Sequence, residues 1–380
     1  MSTSCHASST YWEIRSAFDS FDDVLPAWNR LASLSPLSPF IDSSWFLSFR
    51  EAFPDALASV DVHLLRHSDS LLAAIPLDRA RFPLSSLCSV SNDHFPFWAV
   101  SVDLDHPTIA KQILAHSLQS SQCLCLSALH SDSSLCRNLC AAAHELNLPL
   151  RVDSDNDDCF IRLSQPWSEM QKTISHKMLK GARSKRRHLQ ELGHLTFESV
   201  KGGPSLDRTL TQCFILETLG WKGSGGAPIL HDPQTLRFYT ALAHRASKSG
   251  NLRLHCLLLD SRLIAFQFCL QSASRIDVLK ISYDPEFAKF SPGDLLLLNV
   301  LELACSQGLS ECHLGRSSAW KMRWATDSNP LCRISVYSNS RRASFVCSLI
   351  QTLKAYVQAN PRASDALTAM LSALRSVPRL

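Results

Sequence analysis

The sequence predicts an α/β protein with two tandem units of mixed, mostly antiparallel sheet, followed by a helical tail. Three observations lead to this fold class. The chain has 380 residues, which at roughly 150 residues per domain is enough for two. Along most of the chain, short apolar runs typical of strands alternate with segments whose apolar residues have helical spacing. Three strand-like runs also follow one another directly within 251–283, which favours antiparallel pairing.

The composition indicates a folded chain that does not require a nucleic acid as partner. Hydrophobic residues make up 45% and charged residues 19%, whereas a disordered chain combines low hydrophobicity with high net charge. The net charge, 38 − 34 = +4, is too small to require a nucleic acid for the chain as a whole. The 14 cysteines include no Cys-x-x-Cys pair and no zinc-type spacing. We therefore expect reduced structural cysteines, no metal and a cytoplasmic protein.

No segment of the sequence resembles a targeting signal or a membrane span. Residues 1–10 are small and polar, and we expect them to be disordered rather than a signal peptide. The most apolar run, 295–304, is interrupted by Asn299 and Glu302. It is also shorter than the ~20 residues that cross a bilayer. The sequence therefore predicts no membrane span.

A first domain is predicted over residues 11–160. Turn formers bound its elements, and the His-Ser-Asp-Ser turn at 67–70 joins two strand-like runs into a hairpin. The polar stretch at 153–158 (DSDNDD) is interpreted as a solvated boundary, because it lacks the Gly and the distal Glu of a calcium loop. The predicted helices are 24–34, 45–53, 108–119 and 133–146, and the predicted strands are 60–66, 71–77, 97–104 and 123–129.

A second domain is predicted over residues 161–340, and a helical tail over 341–380. Asp232 and Pro233 have the residue types of a helix N-cap and first helical position. We expect strand 333–337 to complete the second unit. The predicted elements are helix 167–192, strand 195–200, helices 206–220 and 233–248, strands 251–260, 262–271 and 275–283, helix 294–307, strand 311–315, a short helix near Trp320, strand 333–337 and tail helices 343–358 and 364–375.

The element order of the second domain, β-α-α-β-β-β-α-β-α-β, is that of a GCN5-related N-acetyltransferase (GNAT) domain. Four blocks, at 177–198, 216–239, 279–298 and 313–326, resemble in order and wording the CelD-like acetyltransferase family of the GNAT superfamily, which is related to Fem-type aminoacyltransferases. The resemblance implies two tandem GNAT-like domains and acyl transfer from acetyl-CoA or another acyl-CoA. One departure is that the chain has no Arg/Gln-x-x-Gly-x-Gly/Ala pyrophosphate loop.

The corner formed by Ser291, Pro292, Gly293 and Asp294 is the predicted cofactor-binding site. Ser291 is a good N-cap residue, and Pro292 suits the first helical position, where its missing N–H costs no intrahelical bond. Gly293 lets a ligand approach the backbone, and a helix N-terminus favours phosphate. A plain helix start is the alternative. Asp294 would repel a pyrophosphate unless it only complements the helix dipole.

Three residues are candidates for catalysis: Tyr283, Asp284 and Glu217. Tyr283 and Asp284 follow the central strand, where the resemblance places the meeting of thioester and acceptor. Asp284 would be a base or orient the acceptor, and Tyr283 would protonate the departing thiolate. Glu217 is a second candidate base. The alternatives are a turn at Asp284, a packing role for Tyr283 and a surface position for Glu217.

The predicted substrate-binding residues are basic or aromatic. Lys180, Arg183 and Arg187 fall with His176 within an arc of about 60° on one helix. This stripe would bind an anionic acceptor or the phosphates of CoA, and a solvated face is the alternative. The remaining candidates lie in the Gly-rich loop, on the central strand and in the last block: Trp221, Lys222, Lys280, Arg316 and Lys321.

The sequence therefore predicts an acyltransferase that moves an acyl group from acyl-CoA to an amine or hydroxyl of a small, sugar-like or cell-envelope acceptor. A Fem-type transferase that uses aminoacyl-tRNA is the second hypothesis, favoured by the basic helix and the missing loop. A non-catalytic GNAT-like module in polysaccharide biosynthesis is the third. Hydrolase chemistry is disfavoured because the chain has no Gly-x-Ser-x-Gly elbow. The acceptor and the oligomeric state stay open.

Overall fold

Two β-sheets, each covered by helices, form the protein in this computed structural model. The structure describes residues 10–34, 40, 42–81, 84–90, 101–102, 108–163, 166–220 and 228–359. The predicted disordered start, most of strand 97–104 and tail helix 364–375 lie outside the described residues.

The first sheet contains strands from both ends of the chain. Its strands are β1 (Thr10–Ser16), β2 (Val60–His67), β3 (Ser70–Ala80), β4 (Ser86–Ser89), β5 (Ser101–Val102), β6 (Cys123–His130), β7 (Leu150–Ser154) and β15 (Leu331–Tyr337). Their order is β1-β2-β3-β4-β6-β15-β7, and β5 pairs with β3. Only the β4–β6 pair is parallel among these pairings. The predicted hairpin is confirmed as β2–β3.

The second sheet is also mixed and mostly antiparallel, as predicted. Its strands are β8 (Asp158–Arg162), β9 (Leu195–Val200), β10 (Leu252–Leu259), β11 (Arg262–Gln271), β12 (Arg275–Tyr283), β13 (Glu311–Arg316) and β14 (Asp327–Asn329). Their order is β14-β8-β13-β12-β11-β10-β9. The β12–β13 pair is parallel, and the crossover between these two strands is a helix.

Helices cover both faces of the sheets. They are α1 (Leu25–Leu34), α2 (Ser43–Ala52), α3 (Ile109–Ser120), α4 (Ser134–Glu145), α5 (Trp167–Thr173), α6 (His176–Gln190), α7 (Leu206–Leu219), α8 (Pro233–Lys248), α9 (Pro292–Ser306), α10 (Ala319–Met322) and α11 (Arg341–Ala359). The predicted cap of α8 is confirmed, because the Asp232 carboxylate accepts the N–H groups of Gln234 and Thr235. The single helix predicted over 167–192 is instead two, since Ile174 between them is extended.

The two sheets exchange strands, which corrects one expectation. Strand β15, expected to complete the second unit, lies in the first sheet between β6 and β7 and is antiparallel to both. In return β8 joins the second sheet beside β13. Asp158, in the stretch interpreted as a solvated boundary, is fully buried in β8. Alternation identifies a strand but not its neighbours, because a buried strand fits either sheet. The limits 11–160 and 161–340 stay predictions.

One apolar core joins the first sheet to the second. Helix α2 of the first half packs on α8 of the second, where Trp45 and Phe238 meet edge to face with ring centroids 4.7 Å apart. This cluster also includes Phe266 and Phe268 on one face of the second sheet. Cys269 and α9 belong to a separate cluster on the opposite face. Helices α7 and α8 therefore cover one face of the second sheet, and α9 covers the other.

Two further features of the fold concern membrane spans and the state of the cysteines. Among the described residues, no helix is both long and apolar enough to cross a membrane. The 13 cysteines that the structure describes are free thiols, and most of them are buried.

Removing the aromatic contact between the halves should destabilise the protein. Phe238→Ala deletes a fully buried ring beside Trp45 and is expected to lower the free energy of unfolding by about 3–5 kcal/mol. Phe345→Ala, at a side chain that is 66% exposed, is the matched control and should change it by less than about 0.5 kcal/mol. Urea unfolding followed by circular dichroism measures both values, and equal effects would contradict the described packing.

Candidate active site

Strands β12 and β13 pair over three residues and then separate. The parallel pairing runs from Arg275 opposite Glu311 to Asp277 opposite His313. Beyond it β12 follows β11 as far as Tyr283, while β13, which pairs with β8 from Glu311 onward, continues along β8 as far as Arg316. The register between β11 and β12 also shifts at Leu279, and such a bulge bends a strand. A cleft therefore opens between the carboxyl ends of the two strands.

Helix α9 begins at the mouth of this cleft. Ser291 precedes it in the left-handed region, with φ 49° and ψ 57°, and its side chain makes no cap hydrogen bond. Ser291 is therefore not the side-chain cap that its residue type predicts. Its carbonyl instead accepts the N–H groups of Asp294 and Leu295. Of the first amides of α9, this leaves the N–H of Gly293 without an acceptor among the described residues.

A lysine that the sequence analysis did not single out reaches this corner. Lys185 of α6 donates to the hydroxyl of Ser291, with Nζ 2.7 Å from Oγ. Lys185 does not lie on the stripe formed by Lys180, Arg183 and Arg187. Helical periodicity therefore did not mark it as a candidate among the other Lys and Arg residues of α6. A positive charge thus lies at the N-terminus of α9, where the helix dipole also favours anions.

Gly293 and Tyr283 are neighbours across the mouth of the cleft. A Cβ on Gly293 would have the Cδ1 atom of Tyr283 as its nearest neighbour, at 3.7 Å. The position is therefore open to a ligand and also tolerates a side chain. Tyr283 is 39% exposed, so its phenol is accessible from the cleft side of α9.

Asp294 is turned towards two indoles. Its Oδ1 atom accepts from Trp320 Nε1 at 2.9 Å and from Trp324 Nε1 at 3.2 Å. Both tryptophans come from the α10 region, which follows β13. These contacts account for the carboxylate at the start of α9 and join α9 to α10. Asp294 therefore positions the two indoles, and its place in the cofactor-binding site stays a prediction.

Asp284, the predicted base, is held by protein contacts. Its carboxylate is 4% exposed, accepts from Arg262 Nη2 at 2.5 Å and caps the backbone N–H of Glu286 at 3.0 Å. Arg262 also binds Glu286. Asp284 thus fixes the turn after β12, which agrees with the alternative interpretation made from its Asp-Pro sequence, and its role as base stays a prediction.

Glu217, Tyr239 and Lys280 come together on the α7–α8 face of the sheet. Glu217 is 1% exposed, so the surface alternative is wrong, and it accepts the N–H of Ile229 at 3.0 Å. Lys280 Nζ lies 5.2 Å from the centroid of the Tyr239 ring. Burial and the nearby charge of Glu217 raise the pKa of Tyr239 well above its usual value. Trp221 and Lys222 lie outside the described residues.

The remaining predicted substrate-binding residues do not converge on one point. Lys180, Arg183 and Arg187 are exposed on α6, and Arg183 donates to Gln171 at 3.1 Å. Arg316 faces Asp155 with an N–O distance of 3.4 Å. Lys321 donates to the carbonyl of Arg316 at 3.0 Å, and its Nζ lies close to Gly315.

A buried polar network lies where β12 and β13 separate. His313 is bound on one side by Asp158 of β8 (2.7 Å) and on the other by Glu311 (2.8 Å). Arg275 and Asp277 pair on β12. His130 of the first sheet comes within 3.6 Å of Asp158. Burial lowers the pKa of His313, but the hydrogen bonds to Asp158 and Glu311 outweigh burial and raise it.

Comparison with known proteins identifies the class of enzyme to which the second sheet and its helices are similar. Residues 176–323 match the family model described as an acetyltransferase (GNAT) domain, which covers less than half of the chain. None of the curated proteins matches the sequence. The match and the two sheets confirm the GNAT-like α/β fold and the acyltransferase class. The CelD-like family itself stays a prediction.

Solved structures show the same fold over most of the chain. FemX is 10% identical with a TM-score of 0.58, covering 88% of this chain and 100% of FemX. The C-terminal DUF2156 domain of a provisionally assigned lysylphosphatidylglycerol synthetase from Agrobacterium fabrum is 14% identical with a TM-score of 0.52, covering 88% of this chain and 95% of that one. At these identities the likeness concerns the fold alone.

Among the described residues no group of three or more His, Cys, Asp or Glu side chains is arranged to bind a metal.

Replacing Asp294 should separate its packing role from its charge. Asp294→Ala leaves two indole N–H groups without an acceptor and is expected to lower the free energy of unfolding by about 1–3 kcal/mol. Asp294→Asn keeps an acceptor oxygen and should cost clearly less. Urea unfolding followed by tryptophan fluorescence measures both, and equal losses would contradict the indole contacts.

The His313 network predicts a pH-dependent stability. Because the pKa of His313 is raised on folding, its contribution is fully present below the unfolded value near 6.5 and is lost as pH rises through the folded value. The difference in free energy of unfolding between wild type and His313→Gln should therefore be largest below about pH 6.5 and shrink above it. His144→Gln, at an exposed histidine of α4, is the control for replacing a histidine outside this network. A His313 difference that grows with pH would have the wrong sign.

Proposed function

We propose that the chain transfers an acyl group from acyl-CoA to an amine or hydroxyl of a sugar-like or cell-envelope precursor. The observation that carries this proposal is the cleft between β12 and β13 with the N-terminus of α9 at its mouth. The fold class and the match to the acetyltransferase domain support the same reaction.

The corner of α9 fits a phosphate of the donor, although the usual pyrophosphate loop is absent. The Gly293 amide, the helix dipole and the Lys185 ammonium all favour an anion there. Lys185 supplies a full charge where a Gly-rich loop would supply several amides. With the phosphates at this corner, the thioester end of the donor would extend into the cleft.

In the reaction, a lone pair of the acceptor nitrogen or oxygen attacks the thioester carbonyl. The new bond to the acceptor forms and the C–S bond breaks. Solvent water takes up the proton that the acceptor loses, the thiolate gains a proton from the protein, and solvent then returns a proton to that protein group. The phenol of Tyr283 is the group we assign to donate the proton to the thiolate, since it is exposed beside Gly293. Positioning of the two substrates contributes to the rate of such a direct transfer, because it makes the attack effectively intramolecular.

The α7–α8 face is assigned to the acceptor. Glu217 holds the Ile229 amide and so fixes the end of the segment that follows α7. Lys280 brings a positive charge to the same face. We assign Glu217 and Asp284 to positioning, because both carboxylates are buried and accept backbone N–H groups.

A Fem-type reaction with aminoacyl-tRNA is the second candidate. The observation that favours it is α6, which carries six Lys and Arg residues and no Asp or Glu. Binding to RNA by such a surface weakens steeply as salt increases. The two donors therefore differ in a simple measurement, which is whether acetyl-CoA or tRNA stabilises the protein.

Acetyl-CoA at about 100 times its Kd should stabilise the protein by ~2.7 kcal/mol in a thermal-shift titration. Gly293→Asp places a carboxylate at the start of α9, where its Cβ would make only an ordinary van der Waals contact with Tyr283, and should abolish this shift without unfolding the protein. Lys185→Gln should weaken binding by about 10-fold or more. Exposed Lys248→Gln on α8 removes the same charge elsewhere and should leave binding unchanged.

Other outcomes of this titration decide between the hypotheses. Full binding by Gly293→Asp would remove the α9 corner from the donor site. Stabilisation by tRNA with no effect of acetyl-CoA would favour the Fem-type reaction, and no response to either would favour a non-catalytic module.

Tyr283→Phe tests the proton transfer. It removes only the hydroxyl and should lower acyl transfer by about 100-fold or more, while the thermal shift with acetyl-CoA persists. Transfer of label from acetyl-CoA to components of a cell extract measures the rate. Tyr11→Phe, at an exposed tyrosine of β1, is the control. Undiminished transfer by Tyr283→Phe would exclude the phenol as proton donor.

A further inference from the structure

The exposed face of α6 is a concentrated positive surface. Its six cationic residues have no carboxylate within the helix. Lys177, Lys180, Arg186 and Arg187 are exposed and form no ion pair with any residue that the structure describes. The described part of the protein therefore does not neutralise this charge, which is available to an anionic partner.

An apolar groove runs beneath this charged face, between α5, α6 and α9. We define the α6–α9 groove by its apolar lining: Trp167, Leu179, Ala182, Leu195, Leu295 and Leu298. Its volume is about 160 Å³, and Arg183 and Arg186 also line it. Of the lining residues that the structure describes, Glu302 alone is acidic. Just beyond α6, Leu192 is 56% exposed. Apolar surface thus lies directly beside uncompensated arginines.

We propose that this surface docks the protein on an anionic lipid bilayer, with lipid phosphates on Arg183 and Arg186 and an acyl chain entering the α6–α9 groove. Clusters of Lys and Arg are attracted to anionic lipid, and apolar side chains beside such a cluster insert at the bilayer boundary. A single-stranded RNA would match the charge but not the aliphatic lining of the groove, because its bases stack on aromatic rings and Trp167 is the one aromatic residue among the described lining residues.

This docking does not rest on the proposed acyl transfer. Docking needs only the charges of α6 and the groove beside it. Docking can therefore be absent while the donor site binds acetyl-CoA, and the donor site can be absent while docking occurs. Vesicle binding without acetyl-CoA tests the docking, whereas the thermal shift with acetyl-CoA in the absence of lipid tests the donor site.

The first measurement is co-sedimentation of the full chain with vesicles. We expect binding to vesicles of phosphatidylcholine and phosphatidylglycerol in equal parts, weak binding to phosphatidylcholine alone, and loss of binding as salt is raised. Arg183→Gln with Arg186→Gln should reduce partitioning roughly 30-fold. Arg237→Gln with Lys248→Gln is the matched control, since it removes two exposed charges from α8 on the opposite face of the sheet.

The second measurement places the acyl chain. Trp167 lines the groove, so vesicles with brominated acyl chains should quench its fluorescence, and Trp167→Phe should abolish that part of the quenching. This test does not depend on any charge substitution.

Three outcomes would overturn the proposal. One is equal loss of vesicle binding in the two double variants, which would reduce the effect to net charge. Another is brominated-lipid quenching that is unchanged by Trp167→Phe. The third is binding to a single-stranded RNA homopolymer without binding to anionic vesicles, which would assign α6 to a nucleic acid.

Discussion

The separation of β12 from β13 is the constraint on which the candidate site depends. A parallel pair normally continues for the length of the shorter strand, but here pairing ends at Asp277 and His313. The bulge at Leu279 bends β12, while β13 stays paired with β8 along its other edge. Helix α9 connects the two strands, so their separation places its N-terminus at the opening. His313, bound to Asp158 and Glu311, holds β13 against β8 on the other side of that opening.

The order of elements could be predicted from the sequence, but the pairing of two strands could not. Turn residues and apolar periodicity locate strands and helices locally, and the hairpin β2–β3 and the run β10–β11–β12 follow from short connections. Strand β15 comes after a full second unit and still returns to the first sheet. Nothing in its alternation distinguishes the two sheets. Asp158 was misinterpreted for a related reason, because its polar neighbours in sequence concealed a buried partner on β13.

In the candidate site, too, the sequence predicts contacts between nearby residues but not contacts between residues far apart in the chain. Tyr283 and Gly293 lie ten positions apart, with a 3-10 helix (Pro285–Phe290) between them, and sequence proximity was enough to bring both to the cleft. Lys185 and Ser291 are separated by 106 positions, and Asp294 and Trp324 by 30. Spacing cannot find such contacts, since they arise when α6 and α10 pack on α9. The carboxylate of Asp294, which a local interpretation places against an anion, is for this reason directed to two indoles.

Helix α6 ties the donor corner to the proposed membrane surface. One side of it is fixed in the core by the fully buried Leu189, and Lys185 binds Ser291 at the start of α9. The residues at 183 and 186 line the groove that α6 forms with the same helix, α9. A rigid helix with contacts on two sides cannot change one of them independently of the other. Lipid held in the groove and a phosphate held at the Ser291 corner would therefore both contact the same helix, α6.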